Sequence, residues 1–193
     1  MSSGGRGHRR RVSLRLQIIA WLHERADRNG GFLHRHELLS YRTGDRDLPL
    51  IDFSRGIRNP AGFASTLAIV QSAHGPYDDI EDPDDGLLHY AYRSGDPFGG
   101  DNRKLRAAIE TGAPLILFRK ETPNYYTPIA PPVYVVDDVP EENAFLIALD
   151  ESFRYMGDVR SLSEPPQRAY ALRLAKQRLH QPAFRTRVLL AYE

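Results

Sequence analysis

The chain has 193 residues, of which 41% are hydrophobic and 26% charged, as is ordinary for a soluble globular protein. No apolar run approaches the roughly 18 residues that span a membrane, and no long apolar stretch follows the basic start, which argues against a signal peptide. The chain contains no cysteine, so disulfides and thiolate metal sites are excluded and a cytoplasmic protein is expected. Because no apolar run is long enough to span a membrane, no membrane partner is expected.

The net charge of +1 conceals a strong asymmetry along the chain. Residues 1–30 contain seven Arg and two acidic residues, and residues 151–193 contain eight Lys or Arg and four acidic residues. Residues 72–102 contain eight acidic residues and Arg93 as the single basic one. Basic termini suit a nucleic-acid partner because Lys and Arg neutralise phosphates, although charge alone favours ordinary solvated surfaces and tails.

The amino-terminal part, residues 1–47, is predicted to be a basic tail followed by helices. Ser13 can cap a helix from Leu14 to about Asn29, which Gly30–Gly31 would end. A short helix is expected near His36–Tyr41. Such a helix pair either contacts DNA or packs on the rest of the protein, and packing is the commoner case.

Residues 48–150 are predicted to form a β-rich core. One helix interrupts it, "DNRKLRAAIETG", with Asp101 or Asn102 as its cap and Gly112 as its stop. Residues 151–193 are predicted to be helical again, so the chain is expected to be an α+β protein. The segments with the composition and bounding residues typical of strands are "LPLIDF", "STLAIVQS", "LLHYAYR", "PLILFRK", "YYTPIAPPVYVVDD" and "AFLIALD".

The acidic stretch first suggests a metal site, but its spacing does not fit one. With Gly86 at the glycine position of an EF-hand loop, the third ligand is Pro83 and the closing glutamate is Tyr92. In a magnesium-dependent nuclease, Phe118 stands where an acid two residues before Lys120 is expected. The seven histidines form no helical ligand pair, and serine-hydrolase and phosphate-loop motifs are absent. No catalytic residue, metal ligand or cofactor is therefore predicted.

A set of short motifs in a fixed order carries a resemblance to a known family. Between residues 55 and 137 these motifs are Gly56, Tyr77-Asp78-Asp79, Asp84-Asp85-Gly86, Tyr90-Ala91-Tyr92, Gly95, Asp101-Asn102 and "PLILF" from Pro114. The set resembles the SET- and RING-associated (SRA) domain, which binds 5-methylcytosine, in the form found at the amino terminus of bacterial HNH restriction endonucleases that cut modified DNA. The resemblance implies a PUA-type twisted β-barrel with flanking N- and C-terminal helices.

The carboxyl-terminal sequence "RLHQPAFRTRVLLAYE" is similar to the linker helix that leads into the HNH nuclease of those enzymes. The resemblance therefore implies a DNA-binding domain without catalysis of its own, with cutting left to a fused or associated HNH module. The chain departs from the family pattern at two places. His74-Gly75-Pro76 stands before Tyr77, where two glycines are usual, and Arg93-Ser94 follows Tyr92, where threonine and glycine are usual.

The resemblance implies a pocket for a base that is flipped out of the duplex. Tyr77 is expected to stack on the base together with one of two strand tyrosines, which share a strand face because they are two residues apart. A carboxylate of Asp79 or Asp78 is expected to accept from the N4 amino group of cytosine, and the Gly86 turn supplies backbone N–H groups. The expected pocket residues are Tyr77, Asp78, Asp79, Gly86, Tyr90 and Tyr92.

A second set of residues is expected to contact the DNA backbone and grooves, together with Arg9–Arg11 of the basic tail. The leading ligand is duplex DNA with 5-methylcytosine. Alternatives are another mark (5-hydroxymethylcytosine, a glycosylated base or a phosphorothioate), a small enzyme acting on a nucleotide or RNA, and a protein-interaction module; oligomerisation stays open. The expected DNA-contacting residues are Arg55, Arg58, Asn59, Arg93, Asp101, Asn102, Arg103, Lys104, Arg119 and Lys120.

Overall fold

The structure, a computed structural model, describes residues 4–72, 79–81, 87–130 and 132–149, except for the side chains of residues 4–13 and of Ile80. Within these ranges the helices are α1 (Gly4–Arg28), α2 (Arg35–Leu39) and α3 (Gly100–Thr111). The strands are β1 (Leu33–His34), β2 (Arg42–Thr43), β3 (Arg46–Asp47), β4 (Ile57–Arg58), β5 (Ala68–Ser72), β6 (Ile80–Glu81), β7 (Leu87–Ala91), β8 (Ile116–Lys120), β9 (Tyr125–Pro128), β10 (Tyr134–Val139) and β11 (Ala144–Ala148). The protein is α+β, as predicted.

The strands form two main sheets and a small hairpin. The first sheet has five strands in the order β1-β9-β8-β5-β4, and its central pair, β5 and β8, is parallel. The second sheet is antiparallel and has four strands in the order β10-β11-β7-β6. An isolated bridge between Leu115 and Val133 joins the two. In the part of the chain that the structure describes, these strands do not close into a barrel.

The five-stranded sheet is buried on both faces. Alternate residues of β5 and β8 point to opposite sides, as the strand repeat of two requires. On one side Ala68 and Phe118 join α1 and α2 in one apolar cluster. On the other side Ile69 and Leu117 join α3 and the four-stranded sheet in a second cluster. The amino-terminal helices therefore pack on the β-rich core, and no described helix is long and apolar enough to cross a membrane.

The amino-terminal helix ends where the sequence predicts but begins earlier. Gly30 and Gly31 have φ angles of 71° and 96°, a conformation that glycine adopts readily, and α1 stops just before them. The helix begins at Gly4, so Ser13 lies inside it, and most of the predicted basic tail is helical. Once the packed half of a helix has formed, further turns avoid the cost of nucleation, because each residue that is fixed adds one hydrogen bond.

One strand prediction was wrong. "LPLIDF" forms no strand: the Leu48 and Leu50 N–H groups donate to the carbonyls of Tyr41 and Leu38, and Pro49 between them has no N–H to offer a ladder. The six segments predict six or seven strands, and "YYTPIAPPVYVVDD" divides into two, β9 in the first sheet and β10 in the second. The interior helix α3 ends at Gly112, as predicted, but its N-cap is Gly99 rather than Asp101 or Asn102.

Arg15 links α1 to the segments that precede β5 and β8. Its guanidinium donates to the carbonyls of Thr66 (2.7 Å), Pro114 (3.0 Å) and Ser65 (2.9 Å) and to the Ser65 hydroxyl (2.9 Å), and it lies over the Phe63 ring. The residue is only 4% exposed. Burial lowers the pKa of Arg15 to about 10, so the side chain stays charged at neutral pH.

Replacing Arg15 is expected to destabilise the whole fold. Arg15→Ala leaves buried carbonyls without donors, which predicts a loss of about 2–4 kcal/mol in the free energy of unfolding. Urea denaturation followed by circular dichroism measures this loss. Arg28→Ala is the matched control, because Arg28 forms an exposed pair with Glu24 that is expected to contribute under about 0.5 kcal/mol. Equal losses in the two variants would contradict the role of Arg15 in holding α1 against the sheet.

Candidate functional site

The centre of the candidate site is Tyr90–Arg93, which comprises the last two residues of β7 and the two that follow; it is called here the β7 end. The Tyr90 hydroxyl lies against the loop before β4, within hydrogen-bonding distance of the carbonyl oxygens of Gly56 (3.3 Å) and Val70 (3.4 Å). A Cβ atom added at position 56 would lie 2.9 Å from this hydroxyl and 3.4 Å from the Val70 oxygen. Glycine is therefore required at position 56, because the Tyr90 hydroxyl approaches it so closely. The contact joins Gly56, the first residue of the motif pattern, to Tyr90 in the middle of that pattern.

Two polar side chains hold the backbone that follows Tyr90 in the chain. The Ala91 N–H donates to Oδ1 of Asp79 (3.1 Å), which immediately precedes β6. The Arg93 N–H donates to Oδ1 of Asn102 (2.9 Å), whose amide group donates back to the carbonyls of Arg93 (3.0 Å) and Asp96 (3.2 Å). Asn102 is buried and uses its amide inside the protein, so the structure places it as a support of the loop that begins at Arg93.

The two strand tyrosines share one face, as predicted, but both of their rings are buried. Tyr90 is 4% and Tyr92 7% exposed, and both belong to the apolar cluster between the sheets. The Tyr92 ring packs on Phe145 with centroids 4.8 Å apart. A base that stacks on either ring would have to displace a core contact, so the geometry gives these tyrosines a supporting position beneath the site.

An arginine and an aspartate, neither anticipated from the sequence, fix the Tyr92 side chain. Its hydroxyl donates to Asp138, and Arg106 donates to the same carboxylate through Nε (2.5 Å) and to the Tyr92 oxygen (3.2 Å). Burial first, and then the hydrogen bond to Asp138, raises the pKa of Tyr92 to about 12, so the phenol stays neutral. Arg106 also lies under the exposed ring of Phe98, 5.0 Å from its centroid.

The Asp101 carboxylate joins three segments of the chain. It accepts from the Asn59 amide (2.7 Å), pairs with Arg93, and lies 3.8 Å from Arg55. Thr66 in turn donates to the oxygen of the Asn59 amide (2.8 Å). The carboxylate is only 10% exposed, whereas the two arginine side chains are nearly half exposed. The result is a buried anion with two guanidinium groups held at the surface above it.

The predicted DNA-contacting residues thus divide into two groups. Those brought together around the site are Arg55, Asn59, Arg93, Asp101 and Asn102. Those that lie elsewhere are Arg58, which donates to the Pro49 carbonyl (2.7 Å); Lys104, which donates to the Phe63 carbonyl (2.8 Å); Arg119, which pairs with Glu81; Lys120, half-buried at the end of β8; and Arg103, exposed on α3.

Several predicted site residues lie outside the residues that the structure describes. Tyr77, Asp78 and Gly86 fall in the undescribed segments 73–78 and 82–86, and so do the helices predicted in residues 151–193. Of Arg9–Arg11 only the helical backbone is described. Within the described ranges no three His, Asp or Glu side chains come together as they would to hold a metal ion.

Comparison with known proteins finds no relative of this chain. No protein-family model matches the chain, and no curated protein or solved structure is found to be similar to it.

The contact between position 56 and the Tyr90 hydroxyl can be tested by a double-mutant cycle. Gly56→Ala is expected to lower the free energy of unfolding by about 1–3 kcal/mol, because the new methyl group meets the hydroxyl. In a Tyr90→Phe background, which lacks that oxygen, the penalty should shrink to a fraction of this. Urea denaturation of the four proteins gives the coupling, and an unchanged penalty in both backgrounds would disprove it.

Proposed function

We propose that the protein binds duplex DNA that carries a modified base, with 5-methylcytosine as the leading ligand. The observation that carries this proposal is the convergence on residues Tyr90–Arg93. Gly56, Asp79 and Asn102 come from three separate parts of the pattern that resembles the SRA domain, and each forms a hydrogen bond with this segment. A pattern that was only coincidental would not need to meet at one place in space.

The proposed reading of the base depends on a carboxylate next to the strand end. Asp79 is half-buried, and its Oδ1 is held by the Ala91 N–H. A carboxylate is a hydrogen-bond acceptor, so it suits the N4 amino group of a flipped cytosine and repels the carbonyl of a thymine. Flipping costs a few kcal/mol, and stacking restores roughly 1–3 kcal/mol per base. In this proposal Tyr77 supplies the stacking, and Tyr92 stiffens the floor beneath.

The proposed backbone contacts lie at the two arginines above Asp101. Arg55 and Arg93 present guanidinium groups that the aspartate holds in place, and a guanidinium binds a phosphate with two parallel hydrogen bonds. Arg93 stands where the family pattern has threonine, so this contact is a feature of the present chain.

The finer fold assignment, an SRA-like twisted barrel of the PUA type, is part of the same proposal. So is the biological setting: a cytoplasmic, modification-dependent restriction system in which a fused or associated HNH module cuts the DNA. The chain itself is proposed to bind and not to catalyse.

The modification preference is tested with matched duplexes. The protein should bind a duplex with 5-methylcytosine at least tenfold more tightly than the unmodified duplex of the same sequence, measured by fluorescence anisotropy at several salt concentrations. Duplexes with 5-hydroxymethylcytosine, a glycosylated base or a phosphorothioate belong in the same experiment. Tightest binding to one of those would reassign the mark, and equal binding to all duplexes would refute the proposal.

Two substitutions separate base reading from phosphate binding. Asp79→Asn keeps an oxygen for the Ala91 N–H but loses the charge, so the preference for the modified duplex should fall by about 1–3 kcal/mol. Arg93→Ala should weaken modified and unmodified duplexes by similar factors and reduce the salt dependence by about one ion. The same competition assay measures both. A uniform loss in Asp79→Asn would argue against its role at the base edge.

A further inference from the structure

A second solvent-facing cluster lies where β1 and β9 meet the loop before β4. It consists of His34, Arg35, Phe53 and Tyr125 and is called here the aromatic edge. Phe53 is 76% and Tyr125 49% exposed, so two large rings face solvent on either side of the His34–Arg35 dipeptide. Exposed rings grouped beside a cation are a candidate binding surface.

The backbone beneath each ring is fixed. Oδ1 of Asp52 accepts from the N–H groups of Ser54 (3.2 Å) and Arg55 (3.3 Å), which shapes a tight turn with Phe53 at its corner. The Arg35 guanidinium donates to the Phe53 carbonyl (2.7 Å) and lies 4.6 Å from the centre of its ring. The Phe53 ring is thus presented outward on a rigid turn, with a cation against it.

Tyr125 is held in the same manner. Its N–H donates to the Thr122 hydroxyl (3.2 Å), and its position in the ladder is opposite His34, whose ring meets the tyrosine ring edge-on with centroids 5.3 Å apart. The Arg35 N–H donates to the Asn124 carbonyl (2.7 Å), so the arginine backbone is anchored to the turn that carries the tyrosine. Little conformational entropy remains to be lost when a ligand stacks on either ring.

The chemistry of the aromatic edge suits a nucleic-acid strand. The Arg35 guanidinium lies against the Phe53 ring and supplies a positive charge beside two exposed aromatic side chains. Proteins that bind single-stranded nucleic acid combine aromatic rings, on which bases stack, with cations that meet the phosphates. Asp52, the acid on the turn, is mostly buried and occupied by backbone N–H groups and by Arg55, and among the described residues Arg35 forms no ion pair, so its charge is available to a phosphate.

We propose that the aromatic edge binds unpaired bases of single-stranded DNA, with Phe53 and Tyr125 as stacking platforms and Arg35, beside Phe53, as the cation that meets a phosphate. This binding needs neither a modified base nor base flipping, and it therefore goes beyond the function proposed above. Its position connects the two activities, because Phe53 lies two residues before Arg55, which is proposed above to contact a phosphate.

The experiment uses the full chain and an unmodified, mixed-sequence DNA single strand with a fluorescent label. Phe53→Ala and Tyr125→Ala should each weaken binding about tenfold, since each removes one stacking platform. Phe53→Tyr keeps a ring and should bind like the parent protein. Leu16→Ala is the matched control, because Leu16 is also an exposed apolar residue but lies on α1, and its binding should be unchanged. Thermal denaturation verifies that each variant is folded.

Two results would overturn the inference. One is the absence of single-strand binding, or binding that both alanine variants retain in full. The other is a change from dimer to monomer in Phe53→Ala by light scattering, with single-strand binding intact, which would make the aromatic edge an interface between copies. A failure of the modified-duplex preference is a different outcome: it would remove the function proposed above and leave single-strand binding at Phe53 and Tyr125 in place.

Discussion

The burial of the five-stranded sheet on both faces is the constraint on which the rest of the described fold depends. In β5 and β8 successive residues are apolar on both sides, so one face needs the cover of α1 and α2 and the other needs α3 with the second sheet. Arg15 completes this arrangement because its guanidinium satisfies carbonyls at the start of both central strands. A sheet covered in this way leaves only its ends and edges for binding, and the aromatic edge lies at one of them.

The polar network around α3 turns this packing into a site. Asn102 holds the loop after β7, Asp101 holds two arginines and Asn59, and Arg106 connects Tyr92 with Asp138. Buried polar groups that are fully paired stiffen their surroundings, whereas the loss of one partner leaves a costly unpaired group. The helix therefore does more than cover the sheet: its side chains set the geometry of three loops that come from distant parts of the sequence.

The two surfaces differ in what they offer to DNA. At the β7 end, a carboxylate and paired arginines suit a specific base edge and a phosphate. At the aromatic edge, Phe53 and Tyr125 offer rings that stack on any base. A protein that opens a duplex to read one nucleotide can also use a second surface that binds the neighbouring unpaired bases.

The sequence by itself determined the local features: an α1 that stops at Gly30 and Gly31, an α3 that stops at Gly112, and a shared strand face for Tyr90 and Tyr92. These follow from backbone conformation and strand periodicity, which depend on near neighbours. Only the tertiary structure decided that both rings are buried, that Asn102 points inward and that Arg106 meets Asp138. Such outcomes depend on pairs far apart in the chain, because an aromatic ring or a charge carries no mark of whether another element will cover it.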